Sequence, residues 1–412
     1  MVYSEYNKTV LPDGLTIVSE KIPSVRSVSV GVWVKSGTRN ESREKNGIAH
    51  FLEHMMFKGT RKRSAREIAR SLEVVGGYLN AFTSKEQTCY YAEILDDQLP
   101  KAVDVLSDMV CHSVFPEKEI VKEREVILDE IDSVEDAPDD LVQDVFMEKL
   151  YPEDSLGFPI LGTKESVTGI TRDQLLDFYS QNYTSNNIVI AAAGNLDHSR
   201  LVELCQARFQ LPRGVTPNDG AASSHYGSGE FVIPRAINQA HICLGTEALP
   251  YKHHRKYELL LLNTLLGVGM GSRLFQNIRE RYGVAYSIYS YVDFFRDHGL
   301  LAIYFGTEKN KLNKALKLLS REIDRLKDKP ISRRELNQVK SQVKGNLVLS
   351  LESTARRMGR LAKMEIYLQA FHDMDQIISG IDNVSADKVH NLANGLFDKD
   401  HLLQVMFIPE SK

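Results

Sequence analysis

Residues 209–231 read FQLPRGVTPNDGAASSHYGSGEF, and the pattern of strands and helices before this stretch starts again after it. Its Gly, Ser, Pro and Ala content is that of an interdomain linker, set at residues 213–229. The first half opens with two short runs around a Pro-Asp-Gly turn (TVLPDGLTIVSE). Val28, Val30, Val32 and Val34 then alternate with Ser27, Ser29, Gly31 and Trp33, which predicts a half-buried strand. Helical patterning over 47–58 and 64–75, a hairpin in GGYLNAFTSKEQTCYYAEIL, helices near 98–113, 117–135 and 139–150, and the strand NNIVIAAAGNLD follow. The second half repeats the order. A strand (AHICLGTEAL), a helix (KYELLLLNTLLG), a Gly-rich turn with a helix (GMGSRLFQNIRERYG) and two strands (AYSIYSYVDF, GLLAIYFGTE) lead to three helices and a closing strand, HLLQVMFIP. The shared order predicts an α+β domain present twice by internal duplication, each copy a mainly antiparallel sheet packed with helices: residues 1–212 and 230–412.

Composition removes several function classes. With 42 % hydrophobic and 26 % charged residues, the chain has enough apolar content for sizeable cores and is not disordered. Lys plus Arg number 51 against 55 Asp plus Glu, and a net charge of −4 gives no basis for expecting nucleic acid or an anionic membrane as partner. The longest apolar runs fall well short of the roughly 20 residues that cross a bilayer. The N-terminus lacks a basic segment followed by an apolar core, and the four cysteines (Cys89, Cys111, Cys205, Cys243) show no CxxC spacing. A cytoplasmic protein with reduced core thiols is the expectation.

The chemistry stands out in GIAHFLEHMMFKGT, residues 47–60. His50 and His54, four apart, share one face of a helix with Cβ atoms roughly 5–6 Å apart, close enough for both imidazoles to reach one metal ion. Glu53 points toward the same side and is free to act as general base toward a water. Ile48, Phe51, Leu52, Met55, Met56 and Phe57 surround these groups, so the helix is largely buried and its polar side chains need partners. A catalytic zinc takes three protein ligands, and the third must come from elsewhere. In PEKEIVKEREVILDEIDSVEDAPDD, Glu123 and Glu130 lie seven apart on one helical face. Spacing nominates the pair without ranking its members.

With HFLEHMMFKGT and EREVILDEI in place, the chain resembles the pitrilysin-type zinc metallopeptidases, the inverted HxxEH family, and within it the bacterial processing-protease relatives of the mitochondrial processing peptidase β subunit. The resemblance implies one Zn²⁺ per chain held by His50, His54 and Glu130, with Glu53 as general base and Glu123 supporting the site from behind a ligand. GGYLNAFTSKEQTCYY resembles the family's edge strand, which implies that Asn80, Ala81 and Phe82 hold a peptide substrate by strand addition. IRERYGVAYS matches an Arg and a Tyr that bind the substrate carbonyl, here Arg279 and Tyr286. Full-length relatives about twice as long make a clam-like chamber, so the resemblance implies a homodimer in which each site joins one chain's zinc helix to the other chain's Arg and Tyr. Asp140 and Asp144 fall where processing peptidases carry acids that recognise a basic residue. Phe158 departs from the Arg usual there, which weakens transfer of their narrow sequence preference. The implied activity is zinc-dependent endopeptidase action on peptides or short unfolded segments held extended in a closed chamber. The alternative is a noncatalytic scaffold or substrate-recognition subunit of the same family, a kind of subunit that usually lacks ligands or the base this chain keeps.

Overall fold

The computed structural model describes residues 5–214 and 226–410. Most of the expected linker, residues 215–225, lies outside the described residues, and Gly229 already opens a strand. The strands are β1 (Glu5–Val10), β2 (Thr16–Lys21), β3 (Ser27–Val34), β4 (Tyr78–Thr83), β5 (Thr88–Leu95), β6 (Ile188–Gly194), β7 (Gly229–Arg235), β8 (Ala240–Ala248), β9 (Ser287–Phe294), β10 (Gly299–Thr307) and β11 (Leu403–Pro409). The α-helices of the first half are α1 (Ile48–Met55), α2 (Ala65–Glu73), α3 (Leu99–His112), α4 (Glu117–Glu135), α5 (Pro138–Leu150), α6 (Lys164–Gly169), α7 (Arg172–Asn182) and α8 (His198–Arg208). Those of the second are α9 (Lys256–Gly267), α10 (Leu312–Asp328), α11 (Arg333–Ser350), α12 (Thr354–Leu368), α13 (Met374–Asp382) and α14 (Ala386–Leu396).

These elements form two α+β units, and each unit is discontinuous in sequence. One takes the described residues up to Asp132, from Phe158 to 214, and Ser350–Phe371; the other takes Ser133–Gly157, 226 to Leu349, and His372 to 410. The expected division at the linker follows the chain, whereas packing assigns α12 to the first sheet and α5 to the second.

In the first unit the sheet order is β1-β2-β6-β3-β5-β4, with β2 parallel to β6 and the other pairs antiparallel. The β1–β2 hairpin turns at Asp13-Gly14, where Gly14 takes φ +99° and Asp13 Oδ1 accepts from the Leu15 N–H at 3.1 Å. One sheet face contributes Val28, Val30, Val32 and Val34 to a core with Phe51, Leu52, Met55, Val103, Leu106 and Phe178. The other face is covered by a helix over β2, β6 and β3. There α12 lays Met358, Leu361 and Ala362 over Val18, Trp33, Val189 and Ala191. The half-buried β3 expected from alternation is therefore corrected: Ser29 and Trp33 are as buried as the valines, because a helix from the far end of the chain covers their side. The Ser29 hydroxyl is satisfied by Thr354 Oγ1 at 2.8 Å.

The second unit reproduces the design. Its sheet order is β7-β11-β8-β10-β9, with β7 parallel to β11 and the rest antiparallel. Matching β7 to β2, β11 to β6, β8 to β3, β10 to β5 and β9 to β4 superposes every pairing direction, which is the topological signature of the duplication. One face is packed by α5, whose Val142, Phe146 and Leu150 meet Cys243, Val405 and Phe407. A second correction concerns the helix expected in GMGSRLFQNIRERYG. Phe275–Glu280 winds as a π-helix, a form that accumulates at functional sites.

Candidate metal centre and catalytic site

The local sequence builds α1 as a short buried helix with one polar stripe. Ile48, Ala49, Phe51, Leu52 and Met55 are buried, and the residues left over are His50, Glu53 and His54. The helix starts at Gly47 with φ +93°, and a Cβ there would lie 2.6 Å from the Leu161 carbonyl, so only glycine fits. No side chain at the N-cap serves the first N–H groups. Glu41 does so from six residues upstream: its carboxylate accepts from Gly47 N, Ala49 N and Asn46 Nδ2, each at 2.8 Å. Burial pushes the Glu41 carboxyl up to about 7 against the pull of those three donors.

The two imidazoles lie with ring centroids 4.6 Å apart. His50 Nε2 is 3.7 Å from Glu130 Oε2, and His54 Nε2 is 3.8 Å from Glu130 Oε1. These separations are too long for hydrogen bonds. Donors bound at about 2.0–2.1 Å to one tetrahedral ion stand about 3.4 Å apart, close to what is observed. One donor atom from each of His50, His54 and Glu130 falls within 4.8 Å of the others, the one such group among the described residues. Burial, then the neighbouring His54, lowers His50 to about 3, so its ring is a neutral, ligand-competent imidazole at neutral pH. Two imidazoles and a carboxylate are a donor set that fits a zinc-type divalent ion.

The tertiary structure separates the two glutamates that spacing left tied. Glu130 faces both Nε2 atoms, while Glu123, 6 % exposed, sits behind His54 with Oε2 at 3.1 Å from Nδ1. Its other oxygen pairs with Lys58 Nζ at 2.6 Å. A carboxylate on Nδ1 fixes the tautomer that leaves Nε2 free for a ligand bond. Glu53 Oε2 accepts from Thr83 Oγ1 at 2.5 Å. Burial raises the Glu53 carboxyl, Thr83 and His54 oppose it, and Glu130 adds to it.

β4 is the outer strand of its sheet, bonded to β5 alone. Asn80 Oδ1 accepts from the Ala81 N–H at 2.8 Å, so that amide is turned away from β5 and is capped by the neighbouring side chain. Phe82 is 40 % exposed and meets Trp33 edge-on at 5.5 Å. Arg279 and Tyr286 belong to the second unit. The Arg279 guanidinium covers the Phe275 ring at 4.8 Å, at the end of the π-helix. Tyr286 is 56 % exposed, and its hydroxyl donates to Glu308 Oε1 at 2.9 Å. Asp140 and Asp144 lie on α5, within the second unit, where the Asp140 charge bears on Tyr289 and Tyr304. Arg43 stacks over the Phe158 ring at 4.9 Å.

Sequence reasoning missed Lys58, Thr83, Glu41 and Glu308. Lys58 carried a signal, being one helical turn past His54, and Thr83 follows Ala81 at the strand period. Glu41 and Glu308 carried none, since nothing in their neighbourhood repeats.

Residues 16–164 match the family description Insulinase (Peptidase family M16), and residues 169–343 match Peptidase M16 inactive domain. The HxxEH string lies in the first of these. The chain is 43 % identical to a protein of Bacillus subtilis named uncharacterized zinc protease YmxG, over 96 % of each chain. It is 39 % identical to one from Streptomyces coelicolor named uncharacterized zinc protease SCO5738, covering 97 % of this chain and 89 % of that one. Among solved structures, a protease from Helicobacter pylori shares the fold at TM-score 0.92 with 22 % identity, over 99 % of this chain and 100 % of that one. A Pseudomonas fluorescens structure titled peptidase M16 inactive domain does so at 0.92 with 20 % identity, over 99 % of each. No helix among the described residues is long and apolar enough to cross a membrane. Two consecutive family matches and full-length relatives at this identity establish that the chain belongs to peptidase family M16, the insulinase or pitrilysin type of metallopeptidase.

Proposed function

We propose that this chain is a zinc-dependent endopeptidase that hydrolyses peptides or short unfolded segments bound in extended form inside a closed chamber. The observation that carries the reading is the convergence of His50 Nε2, His54 Nε2 and the Glu130 carboxylate beside Glu53. Those three side chains would hold one zinc ion per chain, and zinc supplies Lewis-acid polarisation of a scissile carbonyl together with acidification of a water. Glu53 takes the proton from the attacking water and returns it to the leaving amine, a role suited to a carboxyl that burial holds above its ordinary range. Glu123, braced by Lys58, keeps the His54 ring in the ligating tautomer.

The substrate backbone adds to the open edge of β4 at Asn80–Phe82, displacing the Asn80 side chain from the Ala81 N–H. Backbone pairing gives affinity with little sequence demand, and a closed chamber excludes folded proteins. Arg279 and Tyr286 of a second copy stabilise the developing oxyanion, so the working form is a homodimer with two shared sites. Asp140 and Asp144 offer acids to a basic substrate side chain. The test is Glu53→Gln beside wild type on a mixture of unstructured peptides, with zinc content measured in both. Retained zinc with hydrolysis lost is expected; equal turnover removes Glu53 from its role. A wild type that binds zinc and cleaves nothing points instead to a noncatalytic scaffold or recognition subunit.

A further inference from the structure

The edge strand and the acid–base residue are joined by one side chain that no part of the function above uses. β4 alternates: Leu79 and Ala81 turn toward the core that α1 packs on, while Phe82 turns to Trp33 and Tyr91 on the opposite side. Thr83 continues the Leu79 and Ala81 side by the strand period and reaches α1 at Glu53. Its backbone position is fixed by pairing with Thr88, the last rung of the β4–β5 ladder. Its hydroxyl proton goes to Glu53 Oε2. A carboxylate has two oxygens and rotates about its last torsion at little cost. Anchoring Oε2 fixes that torsion and leaves Oε1 as the oxygen free to exchange a proton.

We propose that Thr83 is a positioning residue that locks the Glu53 carboxylate in register with the strand on which the substrate backbone is paired. The inference rests on the endopeptidase reading, since it assigns Glu53 its proton-transfer role. Because Thr83 stands two residues beyond Ala81 on one rigid strand, the distance from paired substrate to base is set by strand geometry. It is not left to a free side-chain torsion. Such anchoring acts on the proton-transfer step and not on peptide affinity, so it predicts a loss confined to turnover.

Thr83→Val keeps shape and β-propensity while removing the donor; Thr83→Ser keeps the donor. With a quenched fluorescent peptide chosen from those the wild type cleaves, Thr83→Val is expected to lower kcat about 10- to 100-fold, with KM and zinc content within about twofold of wild type. Thr83→Ser is expected to recover most of the loss. The double variant Thr83→Val, Glu53→Gln is expected to be no worse than Glu53→Gln alone, because the two act as one unit. Circular dichroism and Trp33 fluorescence check folding. If Glu53→Gln is inactive while Thr83→Val turns over like wild type, or if Ser fails to restore what Val removes, the Thr83 assignment is overturned and the endopeptidase reading stands. If Glu53→Gln is as active as wild type, both fall together.

Discussion

Glu41 gives the sharpest quantitative test of how α1 is held. It is 8 % exposed and serves the Gly47 and Ala49 N–H groups at the start of the helix that carries both histidines. Burial nevertheless moves its carboxyl from an ordinary 4.5 up to about 7. That difference amounts to about 3 kcal/mol of linkage between protonation and folding. The folded state binds the proton more tightly, so the contribution is fully present below pH 4.5, where Glu41 is protonated in both states. It is lost as pH rises toward 7, and above that the full cost of burying the carboxylate applies. Substituting Glu41→Gln removes the titration and leaves one amide N–H facing a backbone donor, so the variant is less stable in acid. The advantage of wild type over the variant should therefore shrink by about 3 kcal/mol between pH 4.5 and 8. Urea titrations of metal-free protein measure this, read through Trp33, the chain's single tryptophan, buried in the unit that contains Glu41. Taking the difference between the two proteins cancels His50 and every other shared group. An advantage that stays level across the range, or that grows with pH, would refute the reasoning, since growth means the three donors outweigh burial.

Two further outcomes follow from the site. Glu123→Gln should weaken zinc binding about 10- to 100-fold in competition with a chelator while leaving the fold intact, because one neutral amide oxygen cannot serve His54 Nδ1 and Lys58 together; unchanged affinity would remove Glu123 from its supporting role. Mixing Glu53→Gln protein with an Arg279→Ala, Tyr286→Phe double variant, each inactive alone, should restore about a quarter of wild-type activity after subunit exchange, since half the dimers are mixed and one of their two sites is whole. No recovery from an exchanged mixture contradicts the shared-site dimer.

The sequence by itself determined whatever is written within one helical turn or one strand: the duplicated order of elements, the polar stripe of α1, and the two residue types at 123 and 130 that a third ligand required. Duplication was legible because both copies keep the same periodicities, and the pairing directions of the two sheets bear it out. Tertiary structure alone decided the rest. Glu123 and Glu130 are equivalent by spacing, and only the approach of α4 to α1 puts one carboxylate at Nε2 and the other at Nδ1. Trp33 and Ser29 read as a solvent face until α12, more than three hundred residues later, covers them. Thr83, through one hydrogen bond, and Glu41, through the Gly47 and Ala49 N–H groups, act on a helix they do not belong to. Periodicity records which side of an element is apolar, because burial repeats with the backbone. It cannot record which partner fills that side, because the partner is set by chain folding over distances that no local window spans.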